Sequence, residues 1–314
     1  MGIGSRCPAA GRPAQSEGCL ASAGTDTDRK TIVEQFSSDR AIRGVTDLPP
    51  LGTVLAVWAH PDDESFVAGG LLAAASDAGS TIVCLTATRG EQGTADHGRW
   101  DEVRLARTRS HELAAARAVL GVEGHMWLPF RDGACETVSP GRGLAAVARA
   151  IDEVQPDTIV TFGPDGITGH ADHRAVSQWT SHAWAAVRPS ATLLWAALTA
   201  DAAAQMAEAE PAAGAFYPGY PRTTPDADVV LRLDLRGELL DRKFAAIRAH
   251  ATQSAELVHR LGEDAFRRWW STESFVQVGR GGATTAIAPV THRPHLVRFG
   301  GTRPWRDDRE LAAS

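Results

Sequence analysis

The residues best equipped for chemistry sit in two short clusters. The first is His60-Pro61-Asp62-Asp63-Glu64, an imidazole followed by three carboxylates. The second is His170-Ala171-Asp172-His173, which closes the glycine-rich run that begins at Gly163. His60 and Asp63 are close enough in a tight turn to face one centre, and Pro61 stiffens that turn. Asp62 is then a spare carboxylate, free to act as a base. A set of two histidines and one carboxylate with an open position describes a hydrolytic zinc site. It equally describes a non-haem iron site. Acids after a strand also suit the start of a helix. That explanation accounts for neither the histidines nor the return of the pattern in a second place. No G-x-S-x-G elbow or phosphate-binding Walker loop competes with it.

Elements on either side must hold these clusters. Apolar runs at 53–58, 81–86, 126–128, 158–162 and 192–198 predict strands, with further strands at 229–235 and 275–278. Between them, helical patterns run over 66–78, 101–120, 144–154, 173–187, 239–251 and 255–270, several stopped by glycine or proline. Strand–helix alternation predicts an α/β fold, a mostly parallel sheet with helices on both faces. Both clusters directly follow strands, at the carboxyl edge where such sheets bind ligands. Residues 200–228 break the pattern. They are rich in Ala, Pro and acids and contain Phe216, Tyr217 and Tyr220, so they read as a substrate flap or a disordered insert.

Composition excludes several classes. The chain has 314 residues, 43% hydrophobic and 22% charged, the balance of an ordinary globular protein. No apolar run approaches the ~18–20 residues of a membrane span, so no membrane association is expected. The net charge of −6 argues against nucleic acid as a partner. The four cysteines form no CxxC pair, which fits a reduced, cytoplasmic setting. Residues 1–45 read as a disordered tail without a secretory signal, 46–280 as the catalytic domain and 281–314 as an extended C-terminal segment.

The order AHPDDE, TRGEQG, RSHELAAARAVLGV and GHADH resembles the LmbE-like, or PIG-L, zinc-dependent N-acetylglucosamine deacetylases. Lys243 to Gln253 and Glu273-Ser-Phe275 extend the likeness, which covers about residues 50–280. The resemblance implies a Rossmann-like three-layer fold with a metal at the strand C-terminal edge. It implies His60, Asp63 and His173 as ligands of Zn2+, with Fe2+ as the other candidate. Asp62 is implied as general base and His170 as the residue that polarises the oxyanion. Asp172 is expected to hold the His170 ring and raise its imidazolium character. Arg109 and Asp132 match residues that bind sugar hydroxyls, and Glu91 is expected near the site. The substrate implied is a small N-acetylated, GlcNAc-containing molecule. Amidases of larger acyl groups or thiol conjugates, and antibiotic-tailoring deacetylases, share the motifs and remain open. The chain departs from several relatives at Thr168, where they carry a tyrosine.

Overall fold

In the computed structural model, the described residues are 42–43, 48–207 and 213–279. The remainder of the expected tail and residues 281–314 lie outside them. Eight strands form one sheet: β1 (Ile42–Arg43), β2 (Thr53–Trp58), β3 (Thr81–Thr86), β4 (Gly124–Trp127), β5 (Thr158–Phe162), β6 (Thr192–Ala197), β7 (Leu231–Asp234) and β8 (Thr272–Gln277). Their spatial order is β1-β7-β8-β6-β5-β2-β3-β4. The β1 strand falls inside the stretch expected to be a tail, and pairs in parallel with Leu231 and Arg232. β2 through β6 are mutually parallel, as the alternation predicts. The last strand departs from that rule: β8 runs antiparallel to both β6 and β7.

The helices are α1 (Asp63–Asp77), α2 (Glu102–Leu120), α3 (Pro140–Val154), α4 (Ala171–Val187), α5 (Ala200–Ala207), α6 (Gly237–Ala249), α7 (Ala251–Leu261) and α8 (Glu263–Trp269). α1, α2 and α6 pack together on one face, while α3 and α4 pair on the other. The three layers follow from β2 and β5, whose apolar side chains are buried on both faces. Local signals set the helix ends. The Asp101 carboxylate caps α2 by accepting from the Arg104 N–H, and Gly121 ends it at φ 76°. The single helix expected over 255–270 is two, because Gly262 at φ 77° breaks it. Residues 200–207, expected to be irregular, are helical as α5. Among the described residues, no helix is long and apolar enough to cross a membrane.

From β2 the chain winds toward β3 and β4, then returns to the other side of β2 as β5 and continues to β6. The switch point therefore lies between β2 and β5, whose carboxyl ends carry the two chemical clusters.

One buried ion pair ties β8 to α1 and α6. α1 kinks at Ala68 (φ −138°), which frees backbone N–H groups in its interior. The Glu273 carboxylate accepts from Gly70 N (2.7 Å) and Leu71 N (2.8 Å), and pairs with Lys243 Nζ at 2.7 Å. Both charged side chains are 1% exposed. Removing one partner leaves the other charge buried and unpaired, which costs about 3–5 kcal/mol. Lys243→Ala is expected to lose that much in urea unfolding. A loss below ~1 kcal/mol, the scale of a surface pair, would show that water already reaches Glu273.

Candidate active site

The first loop leaves β2 at Trp58 and enters α1 at Asp63. Its turn is closed by the His60 N–H, which donates to Asp63 Oδ2 at 2.7 Å. Asp62 takes φ 123°, ψ −29°, a conformation that costs a side-chain-bearing residue energy. Its surroundings hold it there. The Asp62 N–H donates to Glu64 Oε2 (3.0 Å), and Glu64 Oε1 accepts from His250 Nε2 (2.7 Å) and Ser65 Oγ (2.6 Å). Arg109 Nη2 donates to Asp62 Oδ2 at 3.0 Å and to the Pro61 carbonyl, and Nη1 donates to the Gly90 carbonyl at 2.8 Å. The guanidinium lies against Gly90 and Gly93, where a Cβ on either would collide with it. Arg109, expected to bind sugar, is thus 3% exposed and engaged with Asp62 and two carbonyls.

The second loop leaves β5 at Phe162 and enters α4 at Ala171. Gly166, Ile167 and Gly169 all have positive φ, which turns the chain back over the sheet edge. The His173 ring stacks on Phe162 with centroids 4.2 Å apart. Its Nδ1 lies 3.0 Å from the Gly166 carbonyl. A carbonyl only accepts, so Nδ1 carries the proton and Nε2 keeps its lone pair. The His60 ring is oriented in the opposite sense. Its Nε2 faces Asp132 Oδ1 (3.0 Å) and Asp172 Oδ2 (3.3 Å), which commits the proton there and frees Nδ1.

These commitments aim two imidazole lone pairs at each other, with His60 Nδ1 3.2 Å from His173 Nε2. The Asp63 carboxylate completes the group at 3.3 Å from His173 Nε2 and 3.6 Å from His60 Nδ1. Two acceptors this close need a proton or a cation between them. Tetrahedral bonds of ~2.0–2.1 Å place ligand atoms ~3.3 Å apart, so the donor set fits a metal ion. Two other groupings share the His60 ring: His60 with His170 and His173, and His60 with Asp132 and Asp172. The second uses His60 Nε2, whose proton already serves two carboxylates. The first adds His170 as a further imidazole at the same centre, with its ring centroid 4.8 Å from that of His60.

Asp172 has a different role from the expected one. Its carboxylate accepts from Gly133 N (2.8 Å) and Cys135 N (2.9 Å) and faces His60, not His170. What reaches His170 is the Asp172 backbone N–H, which donates to Nδ1 at 3.1 Å. His170 is therefore the N-cap of α4. A helix N-terminus disfavours a cation, and the imidazolium character is lowered where a rise was expected. Burial, with the charges of His60 and His173, brings the His170 pKa down to about 4. Burial also brings His173 down to about 3, with the His60 charge adding to it. Burial would lower His60 too. Hydrogen bonds to Asp132 and Asp172 and the charges of Asp63 and Asp132 outweigh it and raise the group to about 10, so a second proton on Nδ1 bridges to His173 Nε2 unless a cation takes that place. Burial pushes the Asp62 carboxyl up to about 7 against the pull of Arg109, and the charge of Asp63 adds to the rise.

Asp132 Oδ2 accepts from the Gln92 N–H at 2.9 Å, and Glu91 accepts from the Asp132 N–H at 3.0 Å, so Glu91 buttresses the centre from behind. A cavity of about 500 Å³ opens over both loops, and His60, Asp62, Asp63, Asp132, His170 and His173 all line it. The three aromatics of the 200–228 segment separate. Phe216 and Tyr217 line the cavity. The Tyr217 N–H donates to the Thr168 carbonyl (2.9 Å), and its ring meets His170 edge-on at 5.5 Å. Tyr220 instead covers Gly169, where a Cβ would strike its ring. Residues 208–212 of that segment lie outside the described residues. Glu64 and His250, which brace Asp62, and Gln253, whose Nε2 donates to the Gly93 carbonyl at 3.0 Å, were not singled out by spacing. The one signal for them was their presence inside the AHPDDE and Lys243–Gln253 motifs.

A profile of the family described as "PIG-L: GlcNAc-PI de-N-acetylase" matches residues 55–184. A Kineococcus radiotolerans protein described as "1D-myo-inositol 2-acetamido-2-deoxy-alpha-D-glucopyranoside deacetylase" is 32% identical, over 64% of this chain and 68% of that one. A Saccharomonospora viridis protein of the same description is also 32% identical, over 68% of this chain and 87% of its own length. Among solved structures, N,N'-diacetylchitobiose deacetylase from Pyrococcus horikoshii superposes with a TM-score of 0.52 at 19% identity, over 82% of this chain and 94% of that one. Teicoplanin deacetylase Orf2 gives 0.52 at 18% identity, over 73% and 100%. At such identities the two structures attest the fold.

Proposed function

Since the chain belongs to the PIG-L, or LmbE-like, family of N-acetylglucosamine deacetylases, we propose that it hydrolyses the acetamide of a GlcNAc-containing small molecule and releases acetate. The observation that carries this is the meeting of His60 Nδ1, His173 Nε2 and Asp63 within 3.2–3.6 Å, beside the buried carboxylate of Asp62. His60, Asp63 and His173 would hold Zn2+, or Fe2+ on the same donors. Such an ion, when bound, polarises a carbonyl and makes water acidic enough to attack near neutral pH.

The chain's own groups supply the rest. Asp62 receives the proton of the attacking water. Arg109 engages Oδ2, which leaves Oδ1 for that proton. A carboxyl raised to about 7 suits this role, since a base works best near the operating pH. His170 faces the developing oxyanion as a neutral imidazole. Its Nδ1 is occupied by the Asp172 N–H, so Nε2 carries the hydrogen and donates it. Asp62 then returns its proton to the departing amine. Asp172 acts through His60 by fixing its tautomer, and Arg109 acts through Asp62 by fixing its position. Each oxygen of Asp132 keeps a second lone pair for a sugar hydroxyl. The cytoplasmic setting is part of this reading, supported by the free, buried Cys84 and Cys135.

The test is an acetate-release assay of the metal-loaded full chain against GlcNAc-inositol, N,N'-diacetylchitobiose and N-acetylglucosamine. Release that is abolished by a chelator and restored by Zn2+ or Fe2+ is expected. Loaded protein that releases acetate from none of them would sink the reading.

A further inference from the structure

The cavity has two unlike walls. One presents polar groups: Gln92, Asp132 and Gln253. The other is formed by Phe66, Met206, Leu257 and Trp270, from four different helices or their ends. Phe66 stands one turn beyond Asp62, its N–H bonded to the Asp62 carbonyl at 3.0 Å, so this wall begins beside the reacting centre. Trp270 packs against Phe66 with ring centroids 4.9 Å apart. Both rings and Leu257 rest on a small second core of Phe244, Ile247 and Phe266. The wall is thus preformed: Phe66, Leu257 and Trp270 are partly buried where they border the cavity, and Met206 is buried beside them.

Hydrogen-bonding capacity along it is sparse. Trp270 Nε1 and Ser274 Oγ, on residues of this side, are themselves buried and have no partner among the described residues. A polyol such as inositol carries a hydroxyl on nearly every carbon, and most would be left unpaired here at a cost in affinity. An acetyl group brings a single methyl and leaves the wall uncovered.

We propose that this wall is a subsite for an apolar substituent of the substrate, an alkyl or aryl group larger than the acetyl methyl. The inference rests on the deacetylase reading above and deepens it. The chemistry is the same whether the group is the acyl chain or the aglycone of the amino sugar, and the two are separable by experiment. Burying one methylene favours the longer substrate by about fourfold, the equivalent of ~0.8 kcal/mol.

The test uses the metal-loaded full chain and two substrate series, with amine or acid release as the readout. The first series is N-acetyl-, N-butanoyl- and N-hexanoylglucosamine. The second is the methyl, hexyl and phenyl glycosides of N-acetylglucosamine, with the inositol glycoside as polar comparator. A rise in kcat/KM of tenfold or more along one series is expected, and the series that rises identifies the group. Leu257→Asn and Trp270→Ala should bring the long-to-short ratio toward one. That ratio is taken within one variant, so it does not depend on how much of the variant folds. Turnover that is flat along both series, a preference for the inositol glycoside over both, or a ratio unchanged in both variants would overturn the proposal. If no member is turned over, the deacetylase reading fails on its own. Binding of the hexyl against the methyl glycoside, followed by tryptophan fluorescence in wild type and Leu257→Asn, still decides the subsite. Equal affinities would overturn it.

Discussion

His173→Ala is expected to lose the metal and the hydrolytic activity together. His173 Nε2 lies 3.2 Å from His60 Nδ1 and 3.3 Å from Asp63 Oδ1, so its loss removes one of three donors from a single centre. The damage should stay local, because the ring's other nitrogen serves only the Gly166 carbonyl and the Thr168 hydroxyl. His60→Ala should act more broadly. It also strips a proton donor from Asp132 and Asp172, leaving two buried carboxylates facing each other. The metal content of the loaded protein, measured by atomic emission, should fall from about one per chain to near zero in either variant, consistent with three protein donors per site. The melting temperature should drop further in His60→Ala. Wild-type metal content in His173→Ala would remove this group of residues as the metal centre.

Asp62→Asn should hold its metal and lose most of its rate. Asp62 lies beside the ligand group yet is outside the three atoms that converge at 3.2–3.6 Å. Asparagine keeps an oxygen for the Arg109 contact and tolerates positive φ better than most residues, so the turn at φ 123° should survive. What disappears is the capacity to take a proton. Removing a general base costs ~10²–10⁴-fold in kcat. Metal content equal to wild type, with kcat lowered by that factor, is the expected pair of results. Turnover near that of wild type would take Asp62 out of the mechanism.

The strands and the two clusters were legible in the sequence because each is a local pattern. Apolar runs of five or six residues gave β2, β3, β5 and β6, and both clusters directly follow such runs. What was not legible depends on contacts distant in the chain. The pairing of Glu64 with His250 spans 186 residues, and nothing near either residue announces it. The resemblance implied that the Asp172 carboxylate holds the His170 ring. In the fold, α4 turns that carboxylate toward His60 and offers His170 the backbone N–H. The resemblance implied that Arg109 binds sugar hydroxyls. The loop holding Gly90 and Gly93 makes a space that the guanidinium fills, which places it against Asp62. The direction of β8 was invisible for a simpler reason: strand sequences carry no sign of whether their neighbours run with or against them.

The place of β8 bears on when the enzyme becomes active. The strand is inserted between β6 and β7, so β1 and β7 join the sheet only through it. Its Glu273 reaches back 203 residues to Gly70, holding the second half of the helix whose first residue is Asp63. On the ribosome, the residues of both chemical loops therefore emerge before the strand that braces α1. Local contacts form early and such distant ones late. Competence for hydrolysis should accordingly arrive as a single late event, when residues 272–277 leave the exit tunnel, and a chain stopped short of them should have its ligands in sequence but no centre in space.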